Sequence, residues 1–194
     1  MTSNSKLIKF IKENDFITLQ EAMDKGVSKM ALSRMVKEET LHRTATRIYS
    51  TKIDWLTDPL RKYAPACTLY PDAVVCGVSA LTYYDLTDEE ERKIWLAFPQ
   101  SHRVVNQEYR LIYPQGPSYL LGIVRHRVGN REVRMYDLEK TIVDAFKFLP
   151  IDAAHKALKG YMKLKNKDYN KLSRYAKQMR KPLDDELTLL LSDE

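Results

Sequence analysis

The chain has 194 residues, 44% of them hydrophobic and 30% charged, with a formal net charge of +6. That balance excludes a disordered chain, and no apolar run approaches the length of a membrane span. The cationic excess favours polyanionic partners without proving them, and the length suits one ordinary domain plus a small one.

From the N-terminus, residues 3–14 are expected to form a helix with Leu7, Phe10 and Ile11 inside and Lys6, Lys9 and Lys12 outside. Thr18 and Glu21 make a capping box, so a second helix starts there and turns Leu19, Ala22 and Met23 inward. Gly26 stops it, because glycine enters the left-handed conformation without steric cost. Ser28 caps a third helix through about Glu38. At about 100° per residue, Ala31, Leu32, Met35 and Val36 share one face. Lys29, Met30, Ser33, Arg34 and Lys37 share the other, which suits a DNA major groove. Leu41–Arg43, a turn at Thr44-Ala45-Thr46, and Arg47–Ser50 read as a two-stranded wing. Helix, turn, helix and basic hairpin make a winged helix-turn-helix domain over residues 1–52. Its DNA-binding candidates are Ser28, Lys29, Met30, Ser33, Arg34, Lys37, Arg43, Thr44 and Arg47.

Residues 53–71 form the connection, where prolines are densest. Asp58-Pro59 starts a helix kept short by Pro65 and Pro71. A helix is expected from Ala73 to Asp85, a central strand over Lys93–Pro99, and another over Tyr109–Tyr113. Ile123–Val128 and Arg131–Tyr136 flank Gly129-Asn130, a two-residue hairpin turn. Asp137 caps an amphipathic helix through Leu149. Helices over 151–165 and 168–180 follow, and Pro182 begins a last one. The fold class is therefore α+β: the winged domain, then a mixed α/β domain over 72–194 ending in helices. Residues 151–181 carry ten Lys or Arg against Asp152 and Asp168. Lys156, Lys159, Lys163 and Lys167 share one helix face, a possible second phosphate-contacting surface, although such stripes are usually solvated.

Catalytic patterns are weak. Gly77-Val78-Ser79-Ala80-Leu81 lacks the second glycine of a nucleophile elbow, so Ser79 reads as a helix residue or local cap. Asp85 and Asp88 follow a helix and read as surface or capping groups, not a metal pair. Asp137, Glu139 and Lys140 read as a capped first turn, with acids favoured by the helix dipole. Asp144 borders the apolar stripe and needs a partner that the sequence does not name. His42, His102, His126 and His155 share no metal-ligand spacing, and no glycine-rich phosphate loop occurs. Neither catalysis, a cofactor nor a metal is expected. Cys67 and Cys76 have no zinc-type spacing, and the N-terminus lacks a secretory signal, which together fit the cytoplasm.

Three segments resemble the AbiEi-type antitoxins of type IV toxin–antitoxin (abortive-infection) systems. They are the winged segment around Gly26-Val27-Ser28, Leu41-His42-Arg43 and Ile48-Tyr49; Val75–Thr87; and Val133–Phe146, the most distinctive of the three. Family members often carry Arg-Gly at the wing tip, where this chain has Thr44-Ala45-Thr46-Arg47. The resemblance implies an autorepressor binding operator repeats in double-stranded DNA, and a C-terminal domain that counteracts a nucleotidyltransferase-like toxin. The alternative is a winged-helix transcription regulator whose second domain senses a ligand or partner.

Overall fold

In the computed structural model the described residues are 3–51, 58–181, 183, 186 and 188. Most of the helix expected from Pro182, and residues 53–57 of the connection, lie outside them. The protein is mixed α+β and divides into two compact units, residues 1–71 with 127–133, and residues 72–126 with 134–194.

The first unit runs α1 (Ser3–Asn14), β1 (Ile17–Thr18), α2 (Leu19–Asp24), α3 (Lys29–Lys37), β2 (His42–Ala45), β3 (Ile48–Ser50) and α4 (Ala64–Leu69). Its three strands lie in the order β1-β3-β2, antiparallel throughout. Leu7, Ile11, Ile17, Ala22, Val27, Leu32, Met35, Leu41 and Tyr49 form one apolar core. The capping box is complete: Glu21 N donates to Thr18 Oγ1 at 3.1 Å, and Thr18 N to the Glu21 carboxylate at 2.8 Å. Gly26 adopts φ +76° after α2. Met23, expected inside, is 50% exposed, because α2 lasts only six residues and its last turn runs past the core. Pro65 does not end the helix after Asp58. It sits in the first turn of α4, where its missing N–H is no loss, behind a 3-10 turn at Arg61–Tyr63.

The second unit carries β4 (Val74–Val75), α5 (Gly77–Tyr83), β5 (Ile94–Ala97), β6 (Tyr109–Ile112), α6 (Leu138–Phe148), α7 (Ile151–Met162) and α8 (Tyr169–Gln178). The hairpin strands β7 (Ile123–Val128) and β8 (Arg131–Tyr136) complete a five-stranded sheet of order β6-β5-β4-β8-β7. Two expectations change here. The stretch from Ala73 opens as a strand, and that strand is the central one; Lys93–Pro99 supplies its neighbour β5. Val74 and Val75 are fully buried, and β-branched side chains pack well there. The turn into α5 is made by Gly77 at φ +52°, with the Trp95 ring too close for any Cβ. Helix α6 packs against α5, α7 and α8. Leu138, Ile142, Val143 and Phe146 meet Leu158, Tyr161, Leu172 and Tyr175 in the largest core.

Candidate functional site

Helix α3 is amphipathic in space as well as in sequence. Leu32 and Met35 are buried, whereas Lys29, Met30, Ser33, Arg34 and Lys37 are exposed, Met30 to 84%. Ser28 Oγ accepts the Ala31 amide at 3.1 Å, so this hydroxyl is engaged as the helix cap. Arg34 Nε lies 3.9 Å from Glu38, with both side chains mostly in solvent. A pair of that kind contributes little and leaves the guanidinium available.

The hairpin differs in detail from its expected form. Its turn falls at Thr46-Arg47, with Arg47 at φ +63°, and Thr44 lies within β2. Arg43 pairs with Tyr49 and Ala45 with Ile48, so Thr44 is an extra residue, a β-bulge. Its Oγ1 is buried with no hydrogen-bond partner. Thr44 is therefore not a tip residue; the exposed hairpin side chains are Arg43 and Arg47.

Between α3 and this hairpin lies a cavity of about 370 Å³. Lys29, Arg43 and Arg47 line it together with the hydroxyls of Ser33 and Thr46. Leu19, Val36 and Tyr49 add apolar surface. Among the described residues, none that lines it is acidic. The sequence did not single out Leu19, Thr46, Val36 and Tyr49 for this role, since their convergence depends on how the hairpin folds back.

Within the same unit Arg131 donates to both oxygens of Glu21, at 2.5 and 3.2 Å, and to the Phe16 carbonyl at 3.3 Å. Burial raises the Glu21 pKa, but the Arg131 hydrogen bond, the Thr18 amide and the Arg131 charge outweigh it and hold the carboxyl below its ordinary value.

The second unit has its own convergence of ionisable groups. Asp137 caps α6 through the Lys140 amide at 2.8 Å. Lys171 bridges Asp137 at 3.1 Å and Glu139 at 3.0 Å. Burial disfavours the Lys171 charge, yet the two carboxylates more than offset this and raise its pKa. Tyr161 and the Asp168 amide donate to Glu139, and Tyr175 to Asp137. Glu139 and Lys140 lie in the capped first turn as expected, and they are buried because α7 and α8 return over this part of α6. The partner of Asp144 is Lys140, one turn earlier, at 2.6 Å. Asp137, Glu139 and Lys171 are thus held by one another and by Tyr161 and Tyr175, as in a structural clasp.

Ser79 is fully buried, donating to Glu91 and accepting the Trp95 amide at 2.7 Å. Asp88 pairs with Lys156. Helix α7 ends at Met162, so the spacing that joined Lys167 to the Lys156, Lys159 and Lys163 stripe is broken. Lys167 instead donates to the Leu164 carbonyl at 3.0 Å. Lys159 and Lys163 remain exposed. Among the described residues, no helix is long and apolar enough to cross a membrane.

No family model and no curated protein matches the chain. The structure is similar to the crystal structure of the Rv2827c protein from Mycobacterium tuberculosis, with a TM-score of 0.60 and 12% identity, over 91% of this chain and 72% of that one. At that identity the likeness concerns fold alone.

Proposed function

We propose that the first unit is a winged helix-turn-helix domain that binds double-stranded operator DNA, and that the protein is a non-catalytic autorepressing antitoxin of a type IV toxin–antitoxin pair. The carrying observation is that α3 buries Leu32 and Met35 while Lys29, Met30, Ser33, Arg34 and Lys37 stand in solvent. An α-helix fits the major groove, and cations at its ends neutralise phosphates while a central arginine meets base edges. The order of three helices and an antiparallel three-stranded sheet with a basic hairpin supports the winged reading. The antitoxin role rests on the resemblance of Val75–Thr87 and Val133–Phe146 to AbiEi-type antitoxins. The second unit, on this reading, counteracts a nucleotidyltransferase-like toxin in the cytoplasm.

Two measurements test the proposal. Selection from a randomised duplex pool by the full chain is expected to yield a recurring sequence. Co-expression with a nucleotidyltransferase-like toxin encoded beside it is expected to restore growth. A pool that stays random overturns the DNA reading; absent rescue with intact DNA selection overturns the antitoxin reading alone.

A further inference from the structure

The cavity between α3 and the β2–β3 hairpin has a chemistry more specific than a positive surface. Three cations, Lys29, Arg43 and Arg47, converge on it, and among the described residues that line it there is no carboxylate. An anion is the natural occupant. A lone phosphate, however, does not use the apolar surface of Leu19, Val36 and Tyr49, which leaves an apolar portion of the ligand to be accounted for. A volume of about 370 Å³ is also at the scale of organic ligand sites, roughly 300–1,000 Å³, and exceeds what one small ion needs. A deoxyribose joined to its phosphate has both parts: an anionic head and a C–H-rich ring.

The hairpin geometry points the same way. Its strands hold four and three residues, so each extends only about 10–13 Å at roughly 3.3 Å per residue. The bulge at Thr44 and the left-handed Arg47 accompany an arrangement in which both hairpin arginines line the concavity shared with α3. A wing that reads the minor groove would instead aim its tip cation away from the helix, whereas Arg47, in the turn, lines the concavity.

Building on the DNA-binding reading above, we propose that this cleft holds one sugar–phosphate unit of the duplex backbone, and that the hairpin clamps that strand without reading the minor groove. Lys29 approaches the phosphate from the helix side, and Arg43 and Arg47 from the hairpin side. Leu19, Val36 and Tyr49 cover the sugar. Sequence discrimination then comes from α3 alone, and the hairpin sets register and affinity.

The test uses the full chain and a duplex it has selected from a random pool. Single methylphosphonates, which remove one backbone charge at a time, are placed along both strands. In separate duplexes 3-deazaadenine removes the N3 acceptor from the minor-groove edge. One methylphosphonate position is expected to weaken wild-type binding about tenfold, as for loss of a charged hydrogen bond. In the Arg43→Ala/Arg47→Gly variant that same position should cost nothing further; glycine suits the left-handed backbone at 47. The 3-deazaadenine duplexes should bind within about twofold of the parent, below the cost of a lost base contact. The clamp is overturned if every methylphosphonate penalty survives in the variant, or if 3-deazaadenine weakens binding as strongly. Either result with sequence-selective binding intact leaves the DNA reading standing; failure to select any duplex overturns both.

Discussion

The Lys140 ammonium lies 2.6 Å from the Asp144 carboxylate, one turn apart on α6, with both side chains shut off from water. Lys140 also sits 4.1 Å from the centre of the Tyr136 ring, while Asp144 Oδ1 has no hydrogen-bond partner. The charges are therefore balanced but incompletely solvated by the protein. Removing one partner leaves the other buried and alone. Asp144→Ala is expected to cost about 3–5 kcal/mol in urea unfolding, whereas the double change Lys140→Met/Asp144→Leu should recover most of that loss. An Asp144→Ala protein as stable as wild type would show that the pair is open to water.

Glu21 ties stability to acid. Its carboxyl is held below the ordinary value of 4.5 by Arg131 and the Thr18 amide against the opposing effect of burial. A depressed folded-state pKa gives stability that is complete above the unfolded value and lost as pH falls through the folded one. As pH falls from about 4.5 through the lowered folded-state value, wild type should therefore lose stability that Glu21→Gln has already lost at neutral pH. The two stability curves should converge toward acid. Parallel curves from pH 7 to pH 3 would contradict the assignment.

Two glycines separate backbone strain from crowding. A Cβ on Gly26 meets nothing within 4 Å, so Gly26→Ala pays only for φ +76°, about 1–2 kcal/mol. A Cβ on Gly77 falls 2.4 Å from the Trp95 ring in addition to φ +52°. Gly77→Ala should cost at least about 1–3 kcal/mol more, the usual range for overpacking. Thermal or urea unfolding of the two variants ranks them directly.

The basic residues of α7 are expected to act as a solvated face. Lys156 already has Asp88, and Lys167 is turned to a carbonyl. Changing Lys156, Lys159 and Lys163 to Glu should leave the slope of log affinity against log salt for DNA within about one unit of wild type. A fall of about three units would place all three lysines on phosphates.

What the sequence made legible was local. Thr18, Gly26, Ser28 and Asp137 declare helix ends through hydrogen bonds only three or so residues away, and the structure has each of those bonds or turns. The opposed faces of α3 follow from helical period alone. Long-range features were not readable in this way. Val74-Val75 is too short to show a strand period, and it became the sheet's centre through pairing with Ala97, Leu96 and Met135. Glu139 read only as an acid of a capped first turn, and its burial could not be foreseen because its partners Tyr161 and Lys171 lie on later helices. The basic cleft escaped notice for a related reason. Its lining is set by where the hairpin turns, and the turn moved from Thr44-Ala45-Thr46 to Thr46-Arg47 when Thr44 became a bulge.

The central claim concerns the outward face of α3, and one titration addresses it most directly. Wild type, Arg34→Ala and Lys37→Ala are each titrated with the selected duplex and with a scrambled duplex at fixed salt. The account predicts that Arg34→Ala lowers the preference for the selected duplex by about tenfold, the value of one bidentate arginine–guanine contact, while Lys37→Ala weakens both duplexes alike. Wild-type affinity for both duplexes in both variants would contradict it.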